Sequence, residues 1–299
     1  MEAIRNIKID TKYQPAFGRI FTPLVLDSLA QKGSSGYLTE VCTNSGILAQ
    51  IDHSVTLGQF FDWIYNILFK SYRNEYIFKN VIAKKILLGK HSLNTSHMLT
   101  EFRVGKCKAD VVIINGTSTV YEIKSAFDSF KRLEMQIKSY LEMFDFINVI
   151  TSSSQAEGLK SILPDSVGIL ILTDKNTIST IRESKSNKNN INPDILFNSL
   201  RKSEYIKVIK EFYGIVPDVP NTLIYSECKK LFYRISPDIA HNLTIKNLAE
   251  RTDSEMLKKM IDKIPSSLFA YLMSIASDKK KMQAIIPRFS LSIGSVIVT

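Results

Sequence analysis

Three charged residues stand where short β-strands would ordinarily be apolar: Asp110 opens one hydrophobic run, and Glu122-Ile123-Lys124 closes the next. Local rules broken in this way mark sites. Alternate residues of a strand share a face, so Glu122 and Lys124 project side by side with Val120, while Tyr121 and Ile123 point the other way, toward a core. Whether Asp110 joins them depends on the hairpin between the runs. A three-residue loop, Asn115-Gly116-Thr117, sets Asp110 opposite Glu122 on one face, with Gly116 supplying the left-handed conformation such loops need. A two-residue Asn115-Gly116 loop sends the two carboxylates to opposite faces unless a bulge intervenes. Converging carboxylates repel, and the usual relief is a hard divalent cation, Mg²⁺ or Mn²⁺ rather than zinc. A lysine beside them suits phosphodiester hydrolysis, where it orients or helps deprotonate water and offsets the charge growing on the phosphorane. The same Glu-x-Lys spacing also arises by chance, and then describes a solvated pair at a strand edge.

Two further features bear on that choice. Gln136 and Tyr140 are four residues apart in a helical pattern, which puts the amide and the hydroxyl on neighbouring positions of one face. Upstream, Glu75 lies within about 25° of Ile82 and Ile86 on a helical wheel, so its carboxylate sits on an apolar face; alternatively it complements the helix dipole in solvent. Glu101 is a rival for the first acid, on the strand before Asp110, where it either lines the same cleft or faces solvent. Arg103, Lys106 and Lys108 are candidate phosphate contacts or ordinary exposed strand charges. The histidines His53, His91, His97 and His241 are scattered without metal-binding or triad spacing and read as surface or internally satisfied residues.

The elements that must carry these residues follow from periodicity. Apolar residues recur at helical spacing from Arg19 to about Arg73, and a helix is predicted from about Asn74 to Leu88, stopping at Gly89 in the left-handed region. Leu99–Val104, Ala109–Ile114 and Thr119–Lys124 read as three antiparallel strands. Phe130, Leu133, Ile137, Tyr140, Leu141 and Phe144 define an amphipathic helix with Asp128 available as N-cap. Strand-like Ile147–Thr151, a helix near Ala156–Leu163 and strand-like Val167–Leu172 complete the centre. The polar stretch Glu183–Pro193 marks a linker or surface loop, and helical patterns resume beyond it. There Tyr205, Phe212, Tyr213, Phe232 and Tyr233 occupy helical core positions, with base stacking as the alternative. The fold class is α/β, divided into a helical region over 1–69, a core over 70–182 and a basic helical domain over 193–299.

The chain has 299 residues, 44% hydrophobic and 23% charged, enough to bury a sizeable core and unlike a disordered tail. No apolar run reaches the roughly 20 residues that cross a bilayer, and the start is too polar for a signal peptide, so no membrane is expected and the location is cytoplasmic. Three widely separated cysteines argue against a disulfide framework or structural zinc. Over residues 1–174, 19 basic residues face 17 acidic ones, a net +2; beyond them 20 face 12, a net +8. That asymmetry favours a phosphate-bearing partner, engaged through the C-terminal half.

Taken in order, helix-borne Glu75, strand Asp110, strand Glu122-Ile123-Lys124 and helix Gln136…Tyr140 resemble the PD-(D/E)XK nuclease superfamily, in particular the QxxxY branch typified by RecB-type exonuclease domains. Residues 70–175 carry the resemblance, with Ala109 in place of the proline of the family name. From Tyr72-Arg73-Asn74-Glu75-Tyr76 to Lys124 the chain is also similar to a small family of otherwise uncharacterised bacterial proteins. The resemblance implies a restriction-endonuclease-like core, a mixed central sheet flanked by helices. It implies that Asp110 and Glu122 bind Mg²⁺ or Mn²⁺, with the Ile123 carbonyl as a third ligand, Glu75 or less favourably Glu101 as the additional acid, and Lys124 as the catalytic lysine. Gln136 and Tyr140 would hold a DNA end or the attacking water. The function expected is that of a nuclease acting on nucleic acid, DNA in particular, leaving a 5′-phosphate and a 3′-hydroxyl. The alternative is a non-catalytic nucleic-acid-binding or protein-interaction module that retains the fold, and the helical regions offer surfaces for a second copy or a protein partner. A third option is a nuclease used in conflict between bacteria and mobile elements.

Overall fold

The computed structural model describes residues 8–297. Its helices are α1 (Gln14–Arg19), α2 (Pro23–Lys32), α3 (Gly36–Asn44), α4 (Leu57–Ser71), α5 (Glu75–Ile82), α6 (Leu133–Leu141), α7 (Ala156–Ile162), α8 (Pro193–Ser199), α9 (Lys202–Tyr213), α10 (Ile224–Phe232), α11 (Pro237–Ala249), α12 (Ser254–Ile261), α13 (Phe269–Ser274), α14 (Lys279–Ile285) and α15 (Ile293–Val296). The strands are β1 (His97–Val104), β2 (Cys107–Ile114), β3 (Ser118–Lys124), β4 (Phe146–Thr151), β5 (Gly168–Leu172) and β6 (Ile178–Arg182). Helices and a mixed sheet make this an α/β protein. Among the described residues no helix is long and apolar enough to cross a membrane.

The chain divides into two compact units, one built from residues through Gly89 together with those from Asp253 onward, the other from Lys90–Thr252. In the first unit α4 starts at a reciprocal cap: Thr56 Oγ1 accepts from the Gln59 amide at 3.2 Å and Gln59 Oε1 from the Thr56 amide at 3.0 Å. Phe60, Phe61, Ile64 and Leu68 are buried at helical spacing behind it. The C-terminal segment joins this unit through specific hydrogen bonds: Tyr76 donates to the Ser267 carbonyl (2.8 Å), and Asn80 both donates to Ser266 and accepts from the Ala270 amide. The expected domain over 193–299 is therefore split, with residues from 253 belonging beside the N-terminal helices. α5 is shorter than predicted and continues as a π-helical turn over Ala83–Leu87. Gly89 is not left-handed; a Cβ there would meet the Lys85 carbonyl oxygen at 2.7 Å, so close backbone approach is what requires glycine.

The second unit is built on one six-stranded sheet in sequence order, antiparallel for β1-β2-β3, parallel for β3-β4-β5 and antiparallel again at β6. The β2-β3 pairs Val111–Tyr121 through Ile114–Ser118 enclose the three-residue loop, with Gly116 at φ 68° and the Asn115 amide on the Thr117 carbonyl at 3.0 Å. This is the register that places position 110 opposite position 122. Val112, Val120, Ile147, Val149 and Ile169 meet Leu133, Ile137, Tyr140 and Phe144, and farther along Phe197, Phe232 and Leu248, in one core. The Val120 side of β3, which also carries Glu122, is thus covered by α6 and its neighbours. Tyr121 and Ile123, expected to be the core-facing pair, are buried as well, so the strand is enclosed on both sides.

Three further expectations are corrected. α6 begins at Leu133 with no side-chain cap, and Asp128 instead accepts from the Ser125 amide (2.9 Å) and hydroxyl (2.6 Å). β6 was not anticipated, because its exposed central residues give no apolar run. Of the two expectations for residues 183–193, a linker or a surface loop, the first is excluded: buried Asn187 donates to the Leu141 and Phe144 carbonyls, and Ser186 to Asp145, which pins the segment to the connection between α6 and β4 and lets α8–α11 complete the same core.

Candidate functional site

β3 delivers Glu122 and Lys124 two residues apart, on one side of the strand. Lys124 Nζ donates to Glu122 Oε1 at 2.7 Å and to the Gln136 side-chain carbonyl at 3.0 Å. Tyr140, one helical turn beyond Gln136 on α6, reaches Glu122 Oε2 at 2.7 Å and the Lys108 main-chain carbonyl at 3.0 Å. A phenol carries one proton, so with Glu122 ionised that proton serves two acceptors; with Glu122 protonated, the carboxyl donates to Tyr140 and Tyr140 to Lys108. The four residues chosen from strand alternation and a spacing of four thus form one hydrogen-bonded group.

Its environment is dry. Glu122 is 1% exposed and Lys124 8%. Burial pushes the Glu122 carboxyl above its ordinary range, while the Lys124 charge and hydrogen bond, then those of Tyr140 and Gln136, pull it back down. Burial also raises the Tyr140 hydroxyl, helped by the negative charges of Glu122 and Asp110. Desolvating two opposite charges is offset only because each has close partners. Tyr140 is fully buried, and its hydroxyl lies against Glu122.

The β2-β3 ladder runs from Ile114–Ser118 to Val111–Tyr121, and past it the strands are joined by a side chain: Asp110 Oδ2 accepts from the Ile123 amide at 2.8 Å. Ile123 therefore contributes its N–H here. Across β1, the pairs Thr100–Val111 and Phe102–Ala109 flank Glu101, which lies directly opposite Asp110. Carboxylate oxygens of Glu101 and Asp110 are within 4.8 Å of each other. Glu101 holds φ 55°, an uncommon value for a non-glycine residue in mid-strand, and ion-pairs with Lys108 at 2.9 Å. All donors at this point are oxygens, the set a hard divalent cation takes. Each Glu122 oxygen accepts one hydrogen bond, from Lys124 or Tyr140, and keeps a further lone pair.

Glu75 is carried by the first unit, where it opens α5 behind the N-cap Asn74 and pairs with Lys79 at 2.5 Å. Lys106 is exposed at the two-residue turn joining β1 to β2. Of the aromatic residues in the later helices, Tyr205 and Phe232 are buried as expected, whereas Phe212 and Tyr233 are substantially exposed. His241 is fully buried with Nε2 on the Ser118 hydroxyl at 2.8 Å. The sequence reading missed the Lys108 carbonyl, which has no side-chain signature. It also missed the Ser125…Asp128 turn, for which the Ser-x-x-Asp spacing was a usable signal.

Fold and site together define an α/β protein with a buried acid–lysine pair at the end of β3. The family model for bacteriophage P4 protein cII matches residues 69–271, and the chain belongs to that family. The match takes in the whole of the sheet. Protein cII of Enterobacteria phage P4 is 27% identical over 110 residues, covering 36% of this chain and 41% of that protein. The alignment thus spans well under half of that relative's length. A solved structure, the SPO1766 protein of unknown function from Silicibacter pomeroyi, is 21% identical over 36% of this chain and 68% of its own, with a TM-score of 0.28. That similarity is too low to carry an argument.

Proposed function

We propose that the second unit is a metal-dependent nuclease with a restriction-endonuclease-like core of the PD-(D/E)XK type, hydrolysing phosphodiester bonds in nucleic acid, DNA in particular. The observation that carries this reading is the junction of Lys124, Glu122 and Gln136 in one hydrogen-bonded group beside Asp110. Asp110 would hold Mg²⁺ or Mn²⁺, with Glu101 and Glu122 as adjoining carboxylates. When bound, such an ion supplies Lewis acidity and activates a water for in-line attack. Lys124 supplies a cation where charge accumulates on the phosphorane, in a site dry enough for that charge to count. Gln136 and Glu122 fix the ammonium, and Tyr140 fixes Glu122. Asp110 ties the end of β2 to Ile123 of β3, keeping the acid next to the lysine.

Cleavage of linear, circular and single-stranded DNA in Mg²⁺ or Mn²⁺ tests this, with Asp110→Asn and Lys124→Gln run beside the wild type after circular dichroism has shown both variants folded. Activity lost in both supports the site. Activity retained in both places the chemistry elsewhere. The buried Lys124–Glu122 ion pair, which balances the acid without a metal ion, favours a second reading, a non-catalytic nucleic-acid-binding module retaining the fold; binding without cleavage of any substrate in either metal selects it.

A further inference from the structure

The last two residues of β3 are held from both flanks by side chains. On the β2 flank the main-chain ladder stops at Val111–Tyr121, and the Asp110 carboxylate takes the Ile123 N–H beyond it. On the β4 flank the parallel pairing ends at Lys124–Thr151, and there the Thr151 hydroxyl donates to the Lys124 carbonyl at 2.7 Å. Paired residues of neighbouring strands project from the same face, so Thr151 also stands beside the Lys124 side chain, on the side of the sheet that carries Glu122.

Thr151 is fully buried and polar where Ile147 and Val149 precede it on the same face of β4. A hydroxyl at such a position costs stability unless it is hydrogen-bonded, and a β-branched side chain has little rotamer freedom, so the link to Lys124 is stiff. Gln155, at the start of α7, supports it: its side-chain carbonyl lies 3.1 Å from the Thr151 hydroxyl, and its amide donates to the Asp128 carbonyl at 3.4 Å. Asp128 in turn holds the Ser125 amide at 2.9 Å. The hydroxyl has one proton, and the shorter contact, to Lys124, takes the larger share. Lys124 is thus fixed at both ends, its ammonium by Glu122 and Gln136 and its main chain by Thr151.

We propose that Thr151 is a positioning residue for Lys124: its hydroxyl holds the lysine main chain where β3 leaves the sheet, and so sets where the ammonium stands relative to Glu122 and Gln136. The inference rests on the nuclease reading for its effect on turnover, and it adds a residue from β4 to a group otherwise built from β3 and α6. A cation that must meet charge growing on a phosphorane acts only from the right place, so a small displacement slows the chemical step without weakening substrate binding.

The test compares Thr151→Val, which keeps the shape without the donor, with Thr151→Ser, which keeps the hydroxyl, in the full chain after circular dichroism has shown both folded. DNA cleavage in Mn²⁺ is expected to lose about tenfold in kcat with KM unchanged in Thr151→Val, and to return in Thr151→Ser. A second readout needs no cleavage: acetylation by the N-hydroxysuccinimide ester of acetic acid, followed at each lysine by mass spectrometry. The reference is Lys229, a lysine of the same unit that is 27% exposed and paired with Asp194. The ratio of labelling at Lys124 to that at Lys229 should rise several-fold in Thr151→Val and stay at the wild-type value in Thr151→Ser. Thr151→Cys, close in shape and only a weak donor, is read in the same way should Thr151→Val fail to fold. A loss confined to KM, a Thr151→Ser variant as slow as Thr151→Val, or labelling that quickens equally at both lysines overturns the assignment. A wild type that cuts no substrate, with the labelling ratio still answering to Thr151→Val, removes the nuclease reading and leaves Thr151 as the residue that places Lys124. Equal cleavage by wild type and Thr151→Val with an unchanged ratio does the reverse.

Discussion

The Tyr140 hydroxyl lies 2.7 Å from Glu122 Oε2, a contact made from the last turn of α6 to the end of β3. It joins the two elements at a point where a buried carboxylate would otherwise lack a partner on that side. Phe144, just past the end of α6, packs against both Tyr140 and Phe102, so the placement of the helix end that aims the hydroxyl is set by ordinary core packing.

Removing that hydroxyl should have two readable effects. Tyr140→Phe leaves Glu122 Oε2 and the Lys108 carbonyl short of a donor and is expected to destabilise the protein by about 1–2 kcal/mol in urea unfolding. Loss of a hydrogen bond that favours the ionised form should also move the Glu122 carboxyl band in an infrared titration to higher pH. An unshifted band would show that Tyr140 does not act on this acid.

Lys124→Ala strands Glu122 in a dry site, and its expected destabilisation at neutral pH is about 3–5 kcal/mol. The Glu122 carboxyl is raised in the folded state, so that state takes up a proton more readily than the unfolded chain. The deficit should therefore be greatest at neutral pH and shrink as pH falls through the raised folded value. Denaturant curves from pH 4 to 8 check this, and a deficit independent of pH contradicts it.

Glu101 separates stability from function. Its φ of 55° is costly for glutamate and neutral for glycine, so Glu101→Gly is expected to raise stability by about 1 kcal/mol despite losing an acid. If Glu101 adjoins the ion, the same variant needs more Mn²⁺ for cleavage. Glu101→Gln shares that defect without the gain in stability. Thermal melts and a metal titration of both variants distinguish the effects.

His241 gives the molecule an acid-sensitive point. Burial depresses its imidazole below the ordinary value, against a smaller opposing pull from Asp145. A depressed folded value means that stability is full above the unfolded value of about 6.5 and falls as pH drops from there toward the folded value. His97 is shifted in the same direction by burial. His241→Gln is expected to melt lower at pH 7.5 yet lose less between pH 7 and 5 than the wild type; parallel melting curves would exclude His241 as the titrating group.

Much of the second unit was legible in the chain itself. Turn chemistry at Asn115-Gly116-Thr117 and period-two patterning narrowed the β2-β3 register to two loop lengths, between which the strand pairing decides, and a one-residue slip would move a whole strand's side chains to the other face. A spacing of four likewise put Gln136 and Tyr140 on one face of α6. What the sequence could not determine was set by contacts between distant residues. Glu122 became a buried acid because α6 folds over the Val120 side of β3. Residues 183–193 became a strap because Asn187 finds the carbonyls of residues 141 and 144. Asp128 turned from helix cap to anchor because Ser125 offers two donors within one turn, and the division of the C-terminal half at residue 253 depends on Tyr76 and Asn80 meeting Ser266, Ser267 and Ala270. Local spacing sets which side chains share a face, whereas burial and partnership depend on which distant segment closes over that face, and only tertiary packing decides that.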